Sequence, residues 1–163
     1  MNSTQTLIDE FLALKHIAMA GISRKGGPSS AIFKKLRSNG TEVTPIHPNL
    51  ENFQSIKCFK RLEDVTPLPQ GVFLFTNPEL TLSLTKNCIE LNIPYIWMHN
   101  MMGFVQTSTK ISESSSVSLE AVKLAEEAGL HVIAGSCPMQ FIPPVDIFHT
   151  CIKWWCGKTG KLG

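Results

Sequence analysis

IAMAGISRKGGPSSAIFKKL, residues Ile17 to Leu36, sets an apolar run against a glycine-rich bend and a helix start. Gly21 permits a tight turn straight out of the strand. Ser23 offers a hydroxyl, and Arg24 and Lys25 add positive charge. Gly26 and Gly27 allow close backbone approach. Pro28 suits a first helical turn, and the N–H groups around Ser29 and Ser30 open a helix whose positive end favours an anion. The stretch therefore has the rhythm of a phosphate-binding turn. It matches neither common fingerprint. Ser23 stands where G-x-G-x-x-G needs its second glycine, and no Lys-Ser/Thr pair follows Gly26 as a Walker A loop requires. The competing reading is a plain strand–helix turn.

Outward from this turn, strands and helices alternate. Helices are expected from Ser3 to Leu14, Pro28 to Ser38, Pro78 to Leu91, Val117 to Ala128 and Val145 to Cys156, with a helical turn over Leu62 to Val65. Strands are expected over His16 to Ile22, Glu42 to His47, Gly71 to Thr76, Pro94 to Met98 and His131 to Ala134, with a short one over Ile56 to Phe59. Gly103 to Ser116 is polar and serine-rich and reads as a loop. Such alternation predicts an α/β fold of three layers, a mostly parallel sheet of five or six strands with helices on both faces. Ligands of such sheets bind beyond the carboxyl ends of the strands. That directs attention to residues 21–30, 47–49, 76–79 and 97–103.

The second strand ends in His47, Pro48 and Asn49. A dinucleotide site usually places Asp or Glu there to accept from ribose hydroxyls. An imidazole suits a phosphorylated ribose instead, so NAD is disfavoured.

The chain has 163 residues, 43% hydrophobic and 17% charged, with a formal net charge of +2. That size fits one domain, with a core over about 14–140 and a terminal helix over about 145–156. The small charge argues against a nucleic-acid or membrane partner, so an anion must be held by local geometry. No apolar run reaches the roughly 20 residues of a membrane span. Five irregularly spaced cysteines and no signal-peptide pattern at the N-terminus predict a cytoplasmic protein with reduced thiols.

Four stretches together carry a family resemblance: AGISRKGGPSSAIFKKLRSNGTEVTPIHPN (20–49), FTNPE (75–79), IWMHNMMG (96–103) and EEAGLHVIAGSCP (126–138). In order and spacing they resemble the CoA-binding domain family, small stand-alone proteins similar to the N-terminal domain of the succinyl-CoA synthetase alpha subunit. The resemblance implies a Rossmann-like fold that binds coenzyme A or an acyl-CoA. It implies a phosphate loop of Gly21, Ser23, Arg24, Pro28 and Ser29, with His47, Pro48 and Asn49 beside the ribose phosphate. Thr76, Asn77 and Pro78 would lie near the adenosine or the pantetheine arm, and Met98 and Gly103 would line the far side. Ser136, Cys137 and Pro138 match an Asn-Cys-Pro of the synthetase. His47 and the Thr76-Asn77-Pro78 run depart from the family's usual apolar and aromatic or basic residues. The synthetase's phosphorylatable histidine belongs to a later domain, so ligase activity does not carry over. No catalytic group is assigned, and the implied role is non-catalytic or regulatory.

Other readings compete. An NAD(P)-linked enzyme, or a thiol enzyme using Cys137, also fits a Rossmann-like pattern. A thiolate needs a base or a positive field, and a buried structural thiol explains Cys137 as well. His149, Cys151 and Cys156 lack the paired spacing of a zinc site, so no metal is expected. Met98, Met101 and Met102 with Trp97 serve either a core or a pantetheine channel. Ile147, Phe148, Cys151, Ile152 and Trp155 share one helical face. That helix either docks on its own domain with one Trp half exposed, or forms a homodimer or partner interface.

Overall fold

The structure is a computed structural model and describes residues 4–101, 103 and 115–159. Five strands form one parallel sheet: β1 (His16–Ala20), β2 (Glu42–Ile46), β5 (Gly71–Leu74), β6 (Tyr95–Met98) and β7 (His131–Ala134), in the order β2-β1-β5-β6-β7. All four pairings are parallel and in continuous register. The chain steps outward from β1 to β2, then returns to the other side of β1 with β5. The topological switch point thus lies between β1 and β5.

Strand side chains alternate between two apolar layers. Ile17, Met19, Val43, Phe73, Trp97 and Ile133 face the layer covered by α1 (Thr4–Leu12) and α2 (Pro28–Ser38). Ala18, Ala20, Ile46, Val72, Leu74, Ile96 and Met98 face the layer of α3 (Pro78–Glu90) and α4 (Leu119–Glu127). Phe11, Phe73 and Trp97 meet edge-on or tilted, with centroids 5.3 to 6.2 Å apart, an arrangement that favours aromatic packing.

Helix starts follow local chemistry. The Asn77 side chain accepts from Leu80 N at 2.8 Å and caps α3, with Pro78 as its first residue. Ser118 accepts from Ala121 N at 3.2 Å and caps α4, so this helix begins at Leu119 and not at Val117. The Ser3 cap and most of the 103–116 loop lie outside the described residues, as does Met102.

The expected short strand is corrected. Ile56–Lys57 (β4) pairs antiparallel with Asn52–Phe53 (β3) in a separate hairpin, and Phe59 joins β2 through a one-residue bridge to Ile46. Gln54 and Ser55 both have positive φ, 45° and 64°, the backbone of a two-residue hairpin turn. No period-two pattern announces so short a hairpin.

The closing helix α5 (Ile147–Lys158) starts on Asp146, which accepts from His149 N at 2.9 Å. Of the two readings of this helix, the docked one with a single half-exposed Trp is corrected. Trp154 and Trp155 are 59% and 56% exposed, and the helix buries only Ile152 and Cys156.

Candidate functional site

The carboxyl ends of the strands bring the sequence-predicted residues to one edge. Gly21 leaves β1 with φ +84°, and a Cβ there would lie 2.5 Å from the Phe75 carbonyl carbon. The turns after β1 and β5 therefore touch at the switch point. The following loop is ordered by its own side chains. Ser29 Oγ accepts from Ser23 N at 3.2 Å, and Ser23 Oγ accepts from Lys25 N at 3.3 Å. Gln54 from the β3–β4 hairpin donates to Ser30 Oγ at 2.7 Å.

Helix α2 starts on Gly27, φ 97° and ψ −166°, with no side-chain cap. The three other α-helices whose caps are described, α3, α4 and α5, each have a capping side chain. At α2 the first-turn N–H groups are thus left to an outside acceptor.

Arg24 joins the turn to the end of β2. Its Nη2 donates to the Asn49 carbonyl at 3.0 Å. Asn49 N donates to His47 Nδ1 at 3.1 Å, which places the proton of the neutral ring on Nε2. Guanidinium and imidazole thus flank one corner of the sheet edge, with Pro48 and Asn49 exposed beside them.

The residues after β5 are committed to structure. Thr76 is buried, with Oγ1 2.8 Å from Thr81 Oγ1, and Asn77 caps α3. Met98 is fully buried in the layer under α3 and α4. Met101, 41% exposed, is a methionine at the open end of β6. Gly103 is buried, and its carbonyl accepts from Ser136 N at 2.9 Å and from Asn100 Nδ2 at 2.8 Å. This ties the turns after β6 and β7 together.

Beside the turn after β1 lies a cavity of about 160 Å³. The start of α2 contributes Pro28, Ala31 and Ile32. The strand ends contribute His99, Met101 and Cys137, and Met139 and α5 close the far side with Phe148 and His149. Sequence reading did not place Ala31, Met139 or Phe148 beside Cys137 and His99. A helix residue one turn past Pro28 was the available signal for Ala31.

Two groups of the cavity, His99 and Cys137, are held neutral by burial. Burial lowers the His99 imidazole to about 4 and raises the Cys137 thiol to about 11. His99 stacks on Phe75 with centroids 4.2 Å apart, and its Nε2 has no hydrogen-bond partner among the described residues. Ser136, at φ +65°, is likewise buried with an unpartnered Oγ. His149 pairs with Asp146 at 2.6 Å. A thiol held neutral beside a neutral imidazole is a poor nucleophile. Among the described residues no group of three His, Cys, Asp or Glu is arranged to hold a metal, and no helix is long and apolar enough to cross a membrane.

Comparison with known proteins gives a consistent picture. An uncharacterised Bacillus subtilis (strain 168) protein, YneT, is 23% identical over 138 residues, 83% of this chain and 92% of that protein. A hypothetical protein from Pyrococcus horikoshii OT3 superposes with TM-score 0.69 at 28% identity, covering 85% of this chain and 89% of that one. The dinucleotide-forming acetyl-coenzyme A synthetase 1 of Ca. Korarchaeum cryptofilum, in its apo form, matches with TM-score 0.59 at 20% identity, over 77% of this chain and 27% of that one. The last likeness is one of fold. The profile of the CoA binding domain family matches residues 15–142.

Proposed function

We propose that this chain, which belongs to the CoA binding domain family, binds coenzyme A or an acyl-CoA without acting on it. The observation that carries the reading is the uncapped start of α2 behind a loop bearing Arg24 and Lys25. The diphosphate takes the first-turn N–H groups of α2. Arg24 and the Nε2 side of His47 take the phosphate on the ribose. The pantetheine arm runs past Pro28 toward the cavity that Cys137 and His99 line. The non-catalytic assignment rests on the neutrality of both groups.

The test is a thermal-shift panel with CoA, acetyl-CoA, NAD, NADPH and ATP at matched concentrations. A ligand that binds only the native state raises the melting temperature by mass action. Shifts with CoA and acetyl-CoA support the reading. A shift with NAD or NADPH alone replaces it with an oxidoreductase.

A second reading concerns α5. Ile147, Phe148, Trp154 and Trp155 are 84%, 60%, 59% and 56% exposed, and with exposed Cys151 they form an outward stripe at helical spacing. The stripe packs against the same helix of a second copy. Antiparallel pairing brings Asp146 of one copy toward Lys158 of the other and sets Cys151 near the two-fold axis. The chain is then a homodimer.

A further inference from the structure

We propose that the cavity beside the phosphate turn receives a short apolar acyl group on the CoA thioester and rejects acyl groups that end in a carboxylate. The inference rests on the CoA reading and names the class of thioester.

Three observations carry it. The first is position. Pro28 belongs both to the start of α2 and to the cavity wall, and Ala31 follows one turn later. A ligand whose phosphates occupy the turn therefore has the cavity within reach of its other end. The second is lining. The wall is built from Pro28, Ala31, Ile32, Met101, Met139 and Phe148 together with the Cys137 thiol, and its accessible surface is almost wholly apolar. The volume, about 160 Å³, matches that of an apolar protein cavity of about 150 Å³ that holds a benzene-sized molecule. An acyl chain of about four to six carbons fills such a space.

The third is charge. Among the described residues no lysine or arginine lines the cavity. His99 is neutral at pH 7, with burial holding its imidazole at about 4. His149 is already paired with Asp146 at 2.6 Å, so its imidazole is committed to that carboxylate. A succinyl or malonyl carboxylate there would lose its water and meet no free cation among the described residues. The apolar acyl loses nothing and gains burial.

The experiment is calorimetric titration of the full chain at pH 7 with CoA, butyryl-CoA, hexanoyl-CoA and succinyl-CoA. Each buried methylene tightens binding about three- to fourfold, so hexanoyl-CoA is expected to bind about tenfold tighter than butyryl-CoA. Succinyl-CoA, with the same carbon count as butyryl-CoA, is expected to bind at least tenfold more weakly than it. Ala31→Phe fills the cavity and brings the hexanoyl-CoA to CoA affinity ratio toward one. If that variant does not fold, Phe148→Lys on the exposed side of the same wall serves, with the succinyl-CoA to butyryl-CoA ratio rising. CoA binding with no dependence on the acyl chain overturns this inference and leaves the CoA reading standing. So does succinyl-CoA binding as tightly as butyryl-CoA. No binding of CoA or any thioester overturns both.

Discussion

A Cβ on Gly21 would lie 2.5 Å from both the carbonyl carbon and the oxygen of Phe75 and 2.9 Å from Thr76 N. The backbones after β1 and β5 meet there with no room for a side chain, and the neighbour is main chain that cannot swing aside. The φ of +84° adds strain for any L side chain. Gly21→Val is therefore expected to destabilise the fold by about 2 to 4 kcal/mol, from left-handed strain and overpacking together. That corresponds to a drop in Tm of roughly 5–15 °C for a chain of this size. It also weakens CoA binding in whatever fraction stays folded. Thermal unfolding followed by circular dichroism measures this. A Tm within a degree of wild type refutes the close approach.

Arg24 is exposed, and among the described residues its guanidinium holds the Asn49 carbonyl alone. Arg24→Gln is expected to leave Tm within about 1–2 °C. Loss of one charge-assisted contact weakens CoA binding roughly 10- to 100-fold. The wild-type affinity falls with added salt, because the loop is solvent-exposed, and the variant shows the smaller salt dependence. Equal affinities at low salt would remove Arg24 from the site.

Asn77 separates a capping role from a ligand role. Its side chain accepts from Leu80 N at 2.8 Å, so Asn77→Ala is expected to cost about 1 kcal/mol, a few degrees in Tm. Asn77→Asp retains the cap and the Tm. A CoA affinity that falls in Asn77→Ala without any change in Tm would assign the residue to the ligand instead.

His99 predicts an acid-sensitive fold. The unfolded chain takes up a proton below about pH 6.5, whereas folded His99 stays neutral down to about pH 4. Stability contributed by neutral His99 is complete above the higher value and is lost as pH falls through this window, by up to about 3 kcal/mol. His99→Phe keeps the aromatic contact with Phe75 and flattens the Tm profile between those pH values. Parallel profiles for wild type and variant would contradict the burial of a neutral ring.

Thiol mapping and sedimentation address Cys137 and α5 together. Cys151 is exposed, while Cys137 is buried with its thiol raised to about 11. Iodoacetamide at pH 7.5 is expected to label Cys151 alone in the folded chain. Mild oxidation joins two copies through Cys151 if α5 pairs across a two-fold axis. Sedimentation equilibrium then gives a dimer for wild type and a monomer for the Trp154→Glu, Trp155→Glu double variant. A monomeric wild type at tens of micromolar rejects the pairing.

Local sequence determined much of this protein. The strand-then-helix alternation, the glycines of the turn, Pro28 and Asn77-Pro78 at helix starts and His47 at the end of β2 all follow from near-neighbour backbone rules. The same rules gave a short strand over Ile56 to Phe59 but not its antiparallel partner Asn52–Phe53, because strands of two residues each are too short for periodicity to register. They placed Met98 by its position in a motif, whereas the pleat of β6 turns its side chain into the layer under α3 and α4.

Only the tertiary structure decided which residues share the cavity. Pro28, His99, Cys137 and Phe148 come from four separate elements, and their meeting depends on the strand order β2-β1-β5-β6-β7 and on where α5 comes to rest. It also decided that Thr76 spends its hydroxyl on Thr81 and that both tryptophans of α5 face outward. Helical periodicity shows that a helix has an apolar face, but the apolar residues of α5 cover more than half of its circumference. Which of them are buried is fixed by the packing energy of distant segments, a quantity that no local window of sequence contains.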